Sequence, residues 1–242
     1  MSISKRVAIL ALSSLFISLT GCETVSNIYD EYNPFQETVA KPTTYTCPKN
    51  QVGDLIKNGV GNSYTLVVDD ISIRDGNVTN LLRRNMPFIY QGKKIDHICT
   101  THVTDMSNLF EDAKELNGNI TDFDTSNVKD MSYMFAHADT FNQPIGNWNT
   151  SSVTNMDHMF YRARAFNQPL QNWNVFSVRN MDYMFPGTYK FNQPLNAWNV
   201  FNVVSHEHFT SPTSGLDPEF KPNFLVFTFS VNLDTHNQAE DN

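Results

Sequence analysis

The residues whose chemistry is simplest to predict are two cysteines that enclose one segment of this chain. Cys47 and Cys99 enclose about fifty residues that contain no CxxC pair and no regularly spaced histidines. In an exported chain an even pair of thiols predicts a disulfide. Closing a loop of this length would stabilise the fold by about 4 kcal/mol in the chain-entropy treatment. Two unpaired thiols are the alternative, and a metal site is disfavoured because no second CxxC and no spaced histidine pair accompanies the two cysteines.

The first residues of the chain indicate export. Two basic residues precede an apolar run at 7–19, which has the length of a signal-peptide core. The run ends in Leu19-Thr20-Gly21-Cys22, which resembles the lipobox of bacterial lipoproteins. By that resemblance residues 1–21 are a cleaved signal peptide and Cys22 becomes a lipidated N-terminus whose acyl chains bind the membrane. An ordinary secretory signal beside an unrelated cysteine is the alternative. No later stretch reaches the ~20 apolar residues of a membrane span.

The other polar residues form no recognisable catalytic or cofactor motif. The sequence has no Gly-x-Ser-x-Gly, Walker, Rossmann or His-Glu-x-x-His pattern, and no spacing singles out an acid/base pair. His206 and His208, the densest histidine pair, cannot share a helical face and lack a third ligand. A net charge of −8 without a basic stripe disfavours nucleic-acid binding. We therefore expect no enzyme, no cofactor, no metal and no nucleic-acid partner.

The secondary structure around these residues is predicted from a sequence motif that recurs every 25 residues. Its four near-copies and a fainter fifth occupy 103–110, 128–135, 153–160, 178–185 and 203–210. In the first four copies Met follows Val by three residues and Phe follows it by seven, which fits one helical face. Asp, Asn or Ser stands before the position of the first Met and is a preferred helix N-cap. Each repeat is therefore predicted to carry a short helix of about two turns.

The second half of each repeat predicts a short strand. Leu170-x-x-Trp173-x-Val175 matches the leucine-rich pattern, whose alternation would face these three side chains towards the core. A fixed period of this size is typical of a solenoid. The predicted fold class is an α/β repeat solenoid: a short leucine-rich-type stack of strand-plus-short-helix units with N- and C-terminal caps.

The predicted organisation has five parts. Residues 1–21 are the signal peptide and 22–46 a tether without periodicity. Residues 47–100 form a disulfide-linked N-terminal cap, and 101–210 hold four to five repeats. Residues 211–242 contain a closing strand, from a β-prone run at 223–233, followed by a polar tail.

The repeated residues resemble a known family. Val-Thr-Asp-Met-Ser-x-Met-Phe, followed by Phe-Asn-Gln-Pro and Trp-Asn-Val, is similar to the repeat of BspA-type leucine-rich repeat surface proteins and of mycoplasma surface lipoproteins. The resemblance covers about residues 47–210. It implies surface display and, in some members, binding of proteins or host factors. The small number of repeats argues against large, multivalent adhesion.

Two columns of the repeat bear on binding. One column changes from serine to phenylalanine along the chain: Ser126, Ser151, Phe176, Phe201. If Val175 and Val200 point inward, Phe176 and Phe201 point outward in neighbouring turns and could anchor a partner. The alternative is that the C-terminal region folds over them. The other column, Asn117, Asn142, Asn167 and Asn192, predicts a ladder of inward-facing side chains that bond backbone groups of the next turn, with a glycan or calcium role as the alternative.

These features together predict a function in recognition at the bacterial envelope. We expect a lipoprotein anchored at the outer membrane or cell surface that binds an unknown protein or glycan as an adhesion or interaction module. The alternative is a structural or regulatory periplasmic lipoprotein that masks or scaffolds another envelope protein.

Overall fold

A computed structural model of the chain describes residues 45–59, 61–116 and 118–224. The signal peptide, Cys22 and almost all of the predicted tether lie outside these residues, as does most of the predicted closing strand at 223–233. In the described part, the strands and the α-helix all lie in a sheet unit, residues 45–100. They are β1 Leu55–Lys57, β2 Ser63–Val67, α1 Gly76–Arg84, β3 Phe88–Tyr90 and β4 Lys93–Cys99. Short 3-10 turns occupy Ser72–Arg74 and Pro218–Phe220.

The four strands form one mixed sheet in the order β1-β2-β4-β3. β1 pairs with β2 and β3 with β4 in antiparallel fashion, whereas β2 and β4 are parallel. Gln91 and Gly92 join β3 to β4 with φ values of 48° and 72°, as a type I′ hairpin turn requires. The parallel β2–β4 pair needs a longer crossover, and α1 lies within it.

Helix α1 begins and ends where its sequence places capping residues. The Asp75 side chain accepts a hydrogen bond from the Asn77 amide, and Asn85 closes the helix with a left-handed φ of 54°. Val78, Leu81 and Leu82 are buried, at the spacing of one helical face.

The predicted α/β repeat solenoid is wrong. The structure is a small, mostly β mixed sheet of four strands with one α-helix, and residues 101–116 and 118–210 contain no α-helix and no strand beyond isolated bridges. The physical reason is that the backbone amides donate to carbonyls of the next repeat and not to carbonyls one helical turn earlier. Met106, Asn108 and Phe110 donate to carbonyls 24 residues further along the chain and not to carbonyls four residues back. Positive φ angles at Asn108 and Asp112 also turn the backbone out of any helix.

The predicted N-cap hydrogen bonds nevertheless form. Asp105, Asp130, Asn155 and Asn180 each accept the amide two residues on through their Oδ1 atoms, at 2.7–3.1 Å. Because no helix follows, these contacts stabilise a turn. The same residues, with Ser205, form isolated parallel bridges from one repeat to the next.

The predicted strand in the second half of the repeat is also wrong, although its burial pattern is right. Leu170, Trp173 and Val175 are all buried. The Trp173 amide donates to the Leu170 carbonyl at 3.0 Å, which is a turn contact. The Trp173 indole donates to the carbonyl of Ile145 at 3.0 Å, so a side chain makes the contact that a strand would make through its backbone.

One hydrophobic cluster extends from the sheet unit through the repeats to Leu216. The Val, Met and Phe columns are fully buried in the first four repeats. Rings of the Phe column lie 5.5–5.6 Å apart between repeats: Phe110, Phe135, Phe160 and Phe185. A second column, Phe141, Phe166 and Phe191, repeats at 5.5–5.7 Å. These columns tie the repeats into one core with the sheet.

Cys47 and Cys99 form a disulfide, and both are buried. The bridge fixes the segment that begins at Tyr45 to the end of β4. The Tyr45 amide donates to the carbonyl of Asp122 at 3.1 Å, which connects the same segment to the first repeat. Among the described residues no helix is both long enough and apolar enough to span a membrane.

Candidate functional site

Phe176 and Phe201, the predicted anchor residues, lie on the surface. They are 50% and 64% exposed, whereas Val175 and Val200 beside them are buried. Each phenylalanine is turned outward by the Asn two residues earlier, whose Oδ1 accepts the Phe amide at 3.1 and 3.2 Å. The outward direction therefore follows from a side-chain turn and not from strand alternation.

The two turns that carry these phenylalanines are bonded to each other. Asn202 Nδ2 donates to the carbonyl of Phe176 at 2.8 Å. In the first two repeats the equivalent positions are Ser126 and Ser151, whose hydroxyls donate to the preceding Asp or Asn side chain at 2.6 and 2.7 Å. Phe176 and Phe201 have no such partner, and within the described residues neither ring pairs with another aromatic ring.

Val204 and Arg179 complete this surface, which we call the aromatic face (Phe176, Arg179, Phe201, Val204). Val204 is 78% exposed, and its amide donates to the Arg179 carbonyl at 2.8 Å. Arg179 Nη1 donates to the carbonyl of Asn202 at 3.3 Å. Two columns lose their acidic residues at this level: Asp105 and Asp130 give way to Asn155, Asn180 and Ser205, and Asp124 to Asn149, Asn174 and Asn199. A third column gains them, since Ser107 and Ser132 give way to Asp157, Asp182 and Glu207. The aromatic face itself consists of three apolar side chains and one arginine.

A polar cavity in the sheet unit is a second candidate, which the sequence did not indicate. It has a volume of about 590 Å³ and is lined by residues from β1, β2, β4, the disulfide segment and the first repeat: Tyr45, Lys57, Asn58, Gly59, Ser63, Thr65, Asp96, His97 and Asp122. This volume is in the ~300–1,000 Å³ range of small-molecule sites.

A β-bulge brings two consecutive residues of β4 into this cavity. In the β2–β4 pairing Tyr64 lies opposite Ile95 and Thr65 lies opposite His97, so Asp96 is an extra residue. Successive side chains of a regular strand point to opposite faces. The bulge removes that alternation, and both Asp96 and His97 line the cavity.

Hydrogen bonds hold the cavity walls. Asn58 Nδ2 donates to Asp96 Oδ1 at 2.9 Å, and Asn58 Oδ1 accepts from the buried hydroxyl of Thr65 at 2.6 Å. His97 Nε2 donates to Asp122 Oδ2 at 3.0 Å. That hydrogen bond raises the pKa of His97, against the opposing effect of burial, and the charges of Asp122 and Asp96 add to the rise.

The cavity lining includes a serine and a histidine, the residue types of a nucleophile–base pair. Ser63 lines the cavity, but its hydroxyl makes no hydrogen bond to His97 among the described residues, so a nucleophile–base pair is not assembled. In the same part of the chain no group of three or more His, Cys, Asp or Glu side chains could hold a metal ion.

A third surface feature is a column of alternating tyrosine and histidine rings, Tyr133, His158, Tyr183 and His208. Successive ring centroids are 4.4, 4.7 and 4.8 Å apart. All four residues have left-handed φ angles between 48° and 56°. The sequence does not reveal the column, because the apolar spacing predicts a helix at these positions.

The asparagine column bonds successive repeats. Asn142 Oδ1 accepts the Asn167 amide at 2.9 Å, Asn167 Oδ1 accepts the Asn192 amide at 3.0 Å, and Asn192 Oδ1 accepts the Asp217 amide at 2.9 Å. The predicted hydrogen bonds to the next turn are therefore present at these positions, but the predicted inward direction is wrong, because all three asparagines are exposed. Asn117, its first predicted member, lies outside the described residues.

A family model described as "Mycoplasma protein of unknown function, DUF285" matches the chain at residues 80–198 and again at 153–219. The two ranges together cover more than half of the chain. They include the aromatic face, Asp96, His97 and Asp122, but not Tyr45, Lys57 or Asn58. No curated protein and no solved structure matches the chain.

Proposed function

The chain belongs to the DUF285 family of Mycoplasma proteins of unknown function, and we propose that it is an envelope-anchored lipoprotein that binds a protein or glycan partner. The observation that carries this proposal is the exposure of Phe176 and Phe201 in two adjacent, hydrogen-bonded turns. The finer likeness to BspA-type surface proteins, which the Val-Thr-Asp-Met-Ser-x-Met-Phe repeat suggests, is part of the proposal.

The energetics of the aromatic face support a partner. Complete burial of a phenylalanine side chain is worth about 1.5–3 kcal/mol. Half to two thirds of each ring remains exposed, so a partner covering one ring gains about 1–2 kcal/mol. Aromatic residues beside an arginine are typical of interface hot spots, and Arg179 adds a positive charge that can attract an acidic group of a partner.

The anchor at Cys22 is the second part of the proposal and rests on the Leu19-Thr20-Gly21-Cys22 motif. The buried disulfide supports it indirectly, because such bridges persist in exported proteins. We expect the expressed chain to incorporate labelled palmitate and to enter the detergent phase on Triton X-114 partitioning. Cys22→Ser should abolish both properties, and a wild-type chain that remains in the aqueous phase would contradict the anchor.

The binding role is tested with a double variant of the full chain, Phe176→Ser/Phe201→Ser. Envelope and host-surface proteins or glycans retained by the wild-type chain should be lost with this variant. Ile71→Ser/Ile89→Ser is the matched control, because it removes two other exposed apolar side chains. Retention of every partner by the phenylalanine variant would exclude the aromatic face as the anchor.

Protease treatment of intact cells separates surface display from the alternative of a periplasmic lipoprotein that masks or scaffolds another envelope protein. A displayed chain is cleaved in intact cells. A periplasmic chain is cleaved only after the outer barrier is opened.

A further inference from the structure

We propose that the polar cavity of the sheet unit is a binding site for a neutral sugar. This site shares no residue with the aromatic face, so it goes beyond the proposed partner-binding function and can fail independently of it. The proposal rests on the balance of donors and acceptors in the cavity, on the bulge that creates it and on the position of Tyr45.

The groups that remain available in the cavity include both donors and acceptors. One oxygen of Asp96 accepts from Asn58 and one oxygen of Asp122 accepts from His97, while the second oxygen of each carboxylate has no hydrogen-bond partner among the described residues. Lys57 adds an ammonium donor at the end of β1. Sugar hydroxyls both donate and accept, so they can satisfy acceptors and donors within one small volume.

The charges in the cavity favour a neutral ligand. Two carboxylates, Asp96 and Asp122, face one ammonium, Lys57, and one histidine, His97. A small cation would be repelled by Lys57 and by His97 when it is protonated, and a small anion would be repelled by both carboxylates. A neutral polyhydroxyl ligand meets neither penalty.

The pairing of the two central strands is irregular at this site. The bulge at Asp96 interrupts the central β2–β4 pairing, and its visible result is to place two adjacent polar side chains on one cavity wall. Thr65, which lies opposite His97, is fully buried. Its hydroxyl donates a hydrogen bond to the Asn58 side chain, and Asn58 donates one to Asp96. These contacts preorganise the wall, which reduces the entropy lost when a ligand binds.

Tyr45 adds an aromatic ring to the lining of the site, next to His97. Its ring lies 5.3 Å from the His97 ring at an interplanar angle of 76°. The nearby disulfide at Cys47 and the Tyr45 amide bond to Asp122 hold this residue beside the cavity. An aromatic ring with a polar rim suits a sugar, which has an apolar C–H face and hydroxyls at its edge.

The test uses the purified full chain and free D-glucose, D-galactose, D-mannose and N-acetyl-D-glucosamine in saturation-transfer NMR, with glycine as a zwitterionic comparison. We expect at least one sugar to give a signal and to shift the imidazole resonances of His97. Asp96→Asn should weaken that binding at least tenfold: it keeps an oxygen for Asn58 but replaces the second oxygen by a donor. Asp112→Asn is the matched control, since Asn readily adopts the left-handed conformation present there.

Lys57→Met provides a second variant at an exposed position, in case Asp96→Asn does not fold. It should also weaken sugar binding without affecting capture by the aromatic face. Three results would overturn the proposal: no signal from any of the four sugars, equal sugar affinity in wild type and both cavity variants, or binding of glycine with displacement of the sugar.

Discussion

Arg83 closes the open edge of the first repeat, and its replacement gives a prediction that can be worked from the structure. In later repeats the carbonyls of Met134 and Ala136 accept amides of the preceding repeat. The first repeat has no predecessor. Arg83 Nη2 instead donates to the equivalent carbonyls of Leu109 and Glu111, at 2.9 and 3.4 Å.

Arg83→Met removes the guanidinium and keeps most of the apolar stem. A hydrogen bond from a charged group is worth about 1.5–3 kcal/mol, and the 3.4 Å contact contributes little. Arg83 Nε is buried without a hydrogen-bond partner among the described residues, and this desolvation offsets part of the gain. We therefore expect the free energy of unfolding to fall by about 1–2 kcal/mol.

Guanidinium denaturation monitored by tryptophan fluorescence measures this change, because Trp148, Trp173 and Trp198 are buried in successive repeats. Hydrogen exchange should also become faster at the amides of Phe110 and Asp112, because they belong to the peptide groups whose carbonyls Arg83 binds. Arg84→Met is the matched control: the side chain is adjacent, exposed and without a hydrogen bond in the described structure. Equal stability of the two variants would refute the capping role of Arg83.

Three further predictions concern the disulfide, the cavity histidine and the core. Replacing Cys47 and Cys99 together by Ala should lower the free energy of unfolding by about 4 kcal/mol, measured by denaturation under oxidising conditions, and unchanged stability would contradict this. The raised pKa of His97 means that its contribution to stability is complete below the unfolded value of 6.5 and is lost as pH rises through the folded-state pKa; His97→Gln should flatten this part of the stability–pH curve. Phe160→Ala, which removes a fully buried ring 4.3 Å from its neighbour, should cost about 3–5 kcal/mol, whereas Phe176→Ala should cost less than about 1 kcal/mol. Similar losses for the two phenylalanine variants would be incompatible with their different burial.

Burial in the repeats was predictable from sequence, whereas secondary structure was not. Val, Met, Phe and Trp recur at fixed positions because each fills the same place in the core, and the structure buries all four columns. Three- and four-residue spacing of apolar side chains indicates which residues face inward but not where their amides donate. Met106 donates to Asp130, 24 residues away, at 2.9 Å. A helix and this arrangement share the same apolar spacing, so the helix prediction failed.

The two candidate sites differ in predictability for a similar reason. The outward direction of Phe176 and Phe201 follows from their neighbours in sequence and could be predicted. The polar cavity depends on Asn58, Asp96 and Asp122, which are far apart in the chain and meet only through the strand pairing and its bulge. Neither the β2–β4 register nor the bulge has a local sequence signal, so the cavity could not be predicted.

The Tyr–His column is an example of aromatic residues at the surface whose presence can be explained by packing within the chain. A left-handed backbone conformation costs about 1–2 kcal/mol for a residue such as Tyr183. Its ring stacks on His158 and lies tilted against His208, and each aromatic contact returns about 0.5–1.5 kcal/mol. These terms nearly balance, so the column is accounted for by contacts within the chain. Phe176 and Phe201 have no comparable contact among the described residues, and smaller serines occupy their positions in earlier repeats. Packing among the described residues gives no reason for phenylalanine there, which supports the partner contact proposed above. The alternative, cover by the C-terminal region, falls mostly on residues that lie outside the described part of the chain.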